Sequence, residues 1–196
     1  MENKFAILHY NISHFTNSSF IDAEVIPFEG LSKISLLYLT SKSIDLNKIK
    51  FEFRLKFDNW KEQNYMSTDK LWPLFSNKLI KVIQKHYKDF VYFPAKLIDK
   101  KGKEHVDEFS VVQTPRLKGI VNEDLSVFTR DELFPALYTS VKKIVLKEDA
   151  ELPSIFRIYE YPQVLIVNEK TFSDLLKENL TNLTLTDMDL YDWSYL

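Results

Sequence analysis

The side chains of this chain that could do acid–base or metal chemistry are four histidines, His9, His14, His86 and His105, and three knots of carboxylates, Glu104/Asp107/Glu108, Glu123/Asp124 and Asp131/Glu132. A histidine held near a carboxylate acts as a general base, and two carboxyl groups with separated pKa values supply an acid and a base. His9 and His14 stand five residues apart across a strand end and a loop, which is no metal spacing. His86 falls on the apolar side of a helix. A capped core or boundary role is therefore expected of each histidine, and the carboxylate knots read as solvated turns. Asp187-x-Asp189-x-x-Asp192 has a calcium-like spacing but lacks the glycine and terminal glutamate of an EF-hand loop. No phosphate-binding glycine motif, His-Glu-x-x-His or Gly-x-Ser-x-Gly is present, and three glycines leave little backbone for a phosphate cradle. With no cysteine, disulfides, thiolate metal sites and a thiol nucleophile are excluded. The residues thus point to no catalytic site, no metal site, no cofactor and no enzyme.

Binding chemistry has a better candidate in the C-terminal tail, 186–196, TDMDLYDWSYL. It combines Asp187, Asp189 and Asp192 with Tyr191, Trp193 and Tyr195 and carries no basic residue. Aromatic rings anchor interface cores, and carboxylates steer basic partners. The same rings would serve equally well folded back on the protein's own core.

Charge narrows the partner. A formal net charge of −2 over 196 residues argues against a nucleic-acid binder, whose phosphate contacts need a basic excess. Residues 51–100 hold ten Lys/Arg against six Asp/Glu, whereas 151–196 hold three against eight. An acidic C-terminal third suits a basic partner, and it also suits an ordinary solvated face. The apolar run at 5–8 is too short for a signal-peptide core or a bilayer span, so a cytoplasmic protein without a membrane is expected. On that expectation the Asn-x-Ser/Thr matches at Asn11, Asn17, Asn179 and Asn182 carry no sugar.

The elements that must position these groups read as α+β, a mainly antiparallel sheet with two helices packed on it. Fifteen Phe, ten Tyr and three Trp are ample for a core. Strands are expected over 4–10, 35–40 and 51–57, the last alternating Phe51, Phe53, Leu55 and Phe57 with charged residues. A helix over 77–88 is capped by Ser76 and carries Leu79, Ile80, Ile83, His86 and Tyr87 opposite Lys78, Lys81, Lys85 and Lys88. A hairpin follows, 90–98 and 108–113, turning at Gly102. Next come a short strand at 117–121, a turn at 122–124, a short helix or turn at 130–138 and a strand at 141–147. The last unit has strands at 155–159 and 164–167 and a helix at 169–178 capped by Asn168. It presents Phe172, Leu175 and Leu176 on one face, and an edge strand through Leu183 and Leu185 closes the unit.

Several pieces occur in order: PLFSNKLIKVIQKH from Pro73, FVYFPAKLID from Phe90, GIVNEDLS from Gly119, and the terminus VKKIVLKEDAELPSIFRIYEYPQVLIVNEKTFSDLLKENLTNLTL from Val141. Their order and spacing over 73–187 resemble a bacterial family of immunity proteins of polymorphic toxin systems, the one named for a Myxococcus immunity protein. The resemblance implies a protein that binds and neutralises a cognate protein toxin without catalysis, and the acidic C-terminal third is then expected to face a basic active-site surface on that toxin. It divides the chain into a variable, strand-rich 1–70, an immunity-like 71–187 and an acidic-aromatic tail, 188–196. It transfers no catalytic residue. Arg157, the one charge in the Ile-Phe-Arg core, is expected to form a salt bridge across the sheet. The alternatives are a regulatory or small-ligand module and an enzyme using scattered carboxylates.

Overall fold

The structure is a computed structural model in which residues 5–10, 21–28, 31, 45–70 and 72–192 are described. The strand expected at 35–40, His14, Asn11, Asn17, Trp193 and Tyr195 lie outside these residues. The described part is α+β and dominated by strands, with thirteen strands and two α-helices. It divides into two compact units, each built from separated stretches of chain: Met1–His9, Thr114–Asp174 and Thr184–Leu196 form the first, Tyr10–Gln113 and Leu175–Leu183 the second. The division at residue 70 implied by the resemblance does not follow the packing, because strands on either side of it pair with each other inside the second unit.

The second unit contains a six-stranded sheet. Its strands are β2 (Ala23–Val25), β3 (Phe51–Leu55), β4 (Tyr65–Met66), β5 (Leu74–Ser76), β6 (Val91–Ile98) and β7 (Glu104–Gln113), in the order β2-β3-β6-β7-β5-β4. All pairs are antiparallel except β3 with β6. The alternation read in β3 is realised: Phe51, Phe53 and Leu55 are buried. They join Trp60, Trp72, Phe93 and Phe109 in one core, where Phe51 meets Trp72 edge-on at 5.6 Å between ring centres. Helix α1 (Asn77–His86) packs on β5 and β7 through Leu79, Ile80, Val82 and Ile83. Its first turn is capped as expected, with the Leu79 amide donating to Ser76 Oγ at 3.2 Å. Tyr87 falls just past the helix end, at its cap. The β6–β7 hairpin turns at Gly102, whose φ of +80° suits a residue without a Cβ.

The first unit contains a five-stranded sheet and a two-stranded ribbon. The sheet comprises β1 (Phe5–Tyr10), β8 (Arg116–Leu117), β11 (Ile155–Ile158), β12 (Leu165–Asn168) and β13 (Leu183–Asp187), in the order β13-β1-β12-β11-β8. Strand β13 is at the edge, as its sequence suggests. Strands β11 and β12 read as continuous apolar runs and are buried along almost their whole length. The ribbon pairs β9 (Val127–Arg130) with β10 (Tyr138–Lys143). One core joins the two sheets through Ile7, Val141, Phe156, Ile158 and Ile166. Helix α2 (Glu169–Lys177) starts at Asn168, whose Oδ1 accepts the Thr171 amide at 3.0 Å. Leu175 is buried on it, but Leu176 is exposed, a correction to the face read from sequence. Adjacent residues sit about 100° apart around a helix, so a narrow apolar stripe holds only one of the two.

Candidate partner-binding surface

The acidic tail begins at the edge strand. After β13 the chain makes a short 3-10 turn, Met188–Leu190, which Asp187 caps by accepting the Asp189 amide at 3.0 Å. Met188 enters the core of the first unit, while Asp189 and Leu190 are exposed. Tyr191 packs against the same core, its ring edge-on to His9 at 5.5 Å, and His9 Nε2 lies 3.0 Å from Thr186 Oγ1. Burial, aided by Tyr161 and the Asp192 charge, pushes the Tyr191 hydroxyl up to about 12. Of the six candidates, Asp189 and Asp192 are exposed and Asp187 is half-buried, whereas Tyr191 is committed to the fold. A partly open pocket of about 210 Å³ lies beside Asp187, lined by Phe5, Ala6, Glu169, Phe172 and Ser173. Pockets for ordinary organic ligands run from about 300 Å³ upward, so this one suits a single protruding group.

Several of the groups that could do acid–base chemistry are tied into turns. His105 is buried against Trp60, with ring centres 4.5 Å apart, and its Nε2 is 3.0 Å from Asp99 Oδ2. Asp99 also accepts the amides of Lys101 and Lys103, each at 2.9 Å. The His105 contact and these amides hold its carboxyl below the usual aspartate range. Glu104 pairs with Lys96, and Glu108 lies 3.8 Å from His105. Glu123 holds Arg130 through both carboxylate oxygens, at 2.7 and 2.6 Å, and the guanidinium depresses its pKa. On α1, Lys85 pairs with Glu178 at 3.3 Å and Lys81 is exposed, while Lys88 lies exposed beyond the helix end. Arg157 is buried, and the partners found for its guanidinium are the Thr114 hydroxyl at 3.0 Å and the carbonyls of Pro162 and Gln163. The two carbonyl contacts make the guanidinium a clamp on the β11–β12 turn. Among the described residues no group of three or more His, Asp or Glu is placed to hold a metal, and no helix is long and apolar enough to cross a membrane.

A feature that the sequence reading passed over lies at the closed end of the ribbon. The segment 130–138, expected as a short helix or turn, is a hydrogen-bonded loop between β9 and β10. Asp131 Oδ1 accepts the amides of Leu133 and Phe134, at 2.8 and 2.7 Å. The Asp131 amide donates to the Leu137 carbonyl, and Leu137 donates to that of Phe134, closing a turn with Pro135 at its second position. Arg130 Nη1 donates to the Pro135 carbonyl at 2.8 Å, and its guanidinium lies over the stacked rings of Phe128 and Tyr138, themselves 3.9 Å apart. This rigid loop holds four consecutive apolar residues, Leu133, Phe134, Pro135 and Ala136, out in solvent, with Leu133 84% and Phe134 64% exposed. Folding alone gives no reason for such a run. Its sequence signal was the aperiodic Leu-Phe-Pro-Ala set between Asp131-Glu132 and the next strand.

No protein-family model matches this chain, and no curated protein does.

Proposed function

We propose that this protein binds and neutralises a protein toxin by covering part of its surface, in the manner of the immunity proteins its sequence resembles, and that it does so in the cytoplasm. The observation that carries this reading is a contrast. His105, Glu104, Glu123 and Asp131 are spent on holding turns and ion pairs, while a preorganised loop keeps apolar side chains in water. An enzyme invests in buried, poised ionisable groups. A binding protein invests in exposed anchors on a rigid frame. The acidic C-terminal third, with Asp187, Asp189 and Asp192 at the end of the first unit, supplies a field that speeds encounter with a basic toxin surface.

The reading expects a toxin gene beside this one, and the test uses its product. Co-expression of the wild-type protein is expected to restore growth of cells making that toxin, and the purified pair is expected to associate with a rate that falls as salt rises. Charge reversal at Asp187, Asp189 and Asp192 together is expected to slow association by about tenfold with less effect on dissociation. Growth that stays arrested, with no complex between the purified proteins, would overturn the reading.

A further inference from the structure

Resting on the reading of this chain as a partner-binding protein, we propose that Leu133 and Phe134 form an anchor that inserts into an apolar pocket on the partner, and that lysine or arginine side chains ring that pocket. Three properties of the loop support this. It is already ordered: five hydrogen bonds, from the Asp131 carboxylate, the Asp131 and Leu137 amides and Arg130, fix it before any partner arrives. Little conformational freedom is then lost on docking. It is also apolar where it protrudes, and full burial of one such side chain strengthens binding by roughly ten- to a hundredfold. A second apolar spot, Leu125 and Val127, is exposed at the other end of the ribbon. Val127 and Asp131 are separated by roughly 13 Å of extended chain, which fits within the footprint of one standard interface.

Charge selects the occupant. Arg130 is neutralised by Glu123, so the carboxylates of Asp131 and Glu132 leave the anchor flanked by negative charge. A second copy docking symmetrically through the same loop would bring these acids face to face. An anionic membrane surface would repel them. A foreign protein with basic residues around an apolar pocket satisfies both the side chains and the field.

The protein and its Leu133→Ser, Phe134→Ser and Glu132→Lys variants are titrated calorimetrically with the purified toxin that the reading expects beside this gene. Each serine variant is expected to bind at least tenfold more weakly with an unchanged melting temperature, and Glu132→Lys to bind more weakly with a shallower salt dependence. Wild-type affinity in both serine variants, with toxin binding intact, would overturn the anchor and leave toxin neutralisation standing. If the wild type does not bind that toxin, the neutralisation reading falls. The anchor is then judged by photocrosslinking in the producing cells with benzoylphenylalanine in place of Phe134. A crosslinked foreign protein that, once purified, binds Leu133→Ser at least tenfold more weakly than wild type supports it. Adducts only to a second copy or to lipid, or none at all, overturn it.

Discussion

Tyr191 illustrates how one side chain can look like an interface anchor in sequence and serve the core in the fold. It sits among carboxylates in a tail rich in rings, yet its ring lies on His9 and its hydroxyl is raised to about 12. A phenol whose folded pKa lies above its unfolded value of about 10 contributes stability that is complete below pH 10 and is lost as the pH climbs towards 12. Tyr138, buried on the ribbon and hydrogen-bonded to Glu123, is shifted in the same direction. The protein is therefore expected to lose stability between about pH 10 and 12. Tyr191→Phe should flatten that decline, as followed by denaturant unfolding at stepped pH, and ultraviolet titration should show one fewer late-ionising phenol. An unchanged pH profile in the variant would mean that Tyr191 is as solvated folded as unfolded. His105, expected as a capped core or boundary histidine, is buried and held by Asp99. Its pairing with Asp99 was not legible, because it depends on the two strands of the β6–β7 hairpin being in register.

Elements were the most legible level wherever local chemistry decides them. Ser76 and Asn168 cap α1 and α2, Gly102 turns the β6–β7 hairpin, and alternation placed the buried face of β3. Ser76→Ala is expected to cost about 1 kcal/mol from the lost cap. Ser76 Oγ also donates to Asn64 Oδ1 at 2.8 Å inside the fold, which adds to the loss. Urea denaturation checks this, and a loss below about 0.3 kcal/mol would place the start of the helix under the control of packing. The ribbon strand β9 was missed for a physical reason. Its four residues, Val127 to Arg130, are mostly exposed and carry no apolar alternation beyond Phe128, so the pairing with β10 rather than any local pattern defines them.

At the scale of the whole molecule, each of the two units has its own core and neither is a contiguous stretch of chain. In the first unit β1 pairs with β12, Phe5 opposite Asn168, so its sheet needs the beginning of the chain together with its last third. Phe156 is fully buried in that sheet and stands edge-on to Phe5 at 5.9 Å. Phe156→Ala is expected to destabilise the protein by about 3–5 kcal/mol. Hydrogen exchange should then show β1, β11 and β12 opening together, as members of one cooperative unit. Local loss confined to β11 would mean that β1 adds nothing to the first unit's stability. The charge asymmetry belongs to this scale as well, because an acidic C-terminal third acts on an approaching partner as a summed field rather than residue by residue.

Composition and local pattern determined the α+β class, both helices with their caps, the hairpin at Gly102, the edge strand β13 and the absence of cysteine chemistry. These follow from periodicity, capping and turn preferences that act within a few residues. Only the tertiary structure decided that residue 70 is no boundary between compact units, that Arg157 clamps a turn, that Tyr191 turns inward and that Leu133 and Phe134 point to water. Each of these depends on which distant segments meet, and a pairing such as Phe5 with Asn168 leaves no trace in the residues next to either.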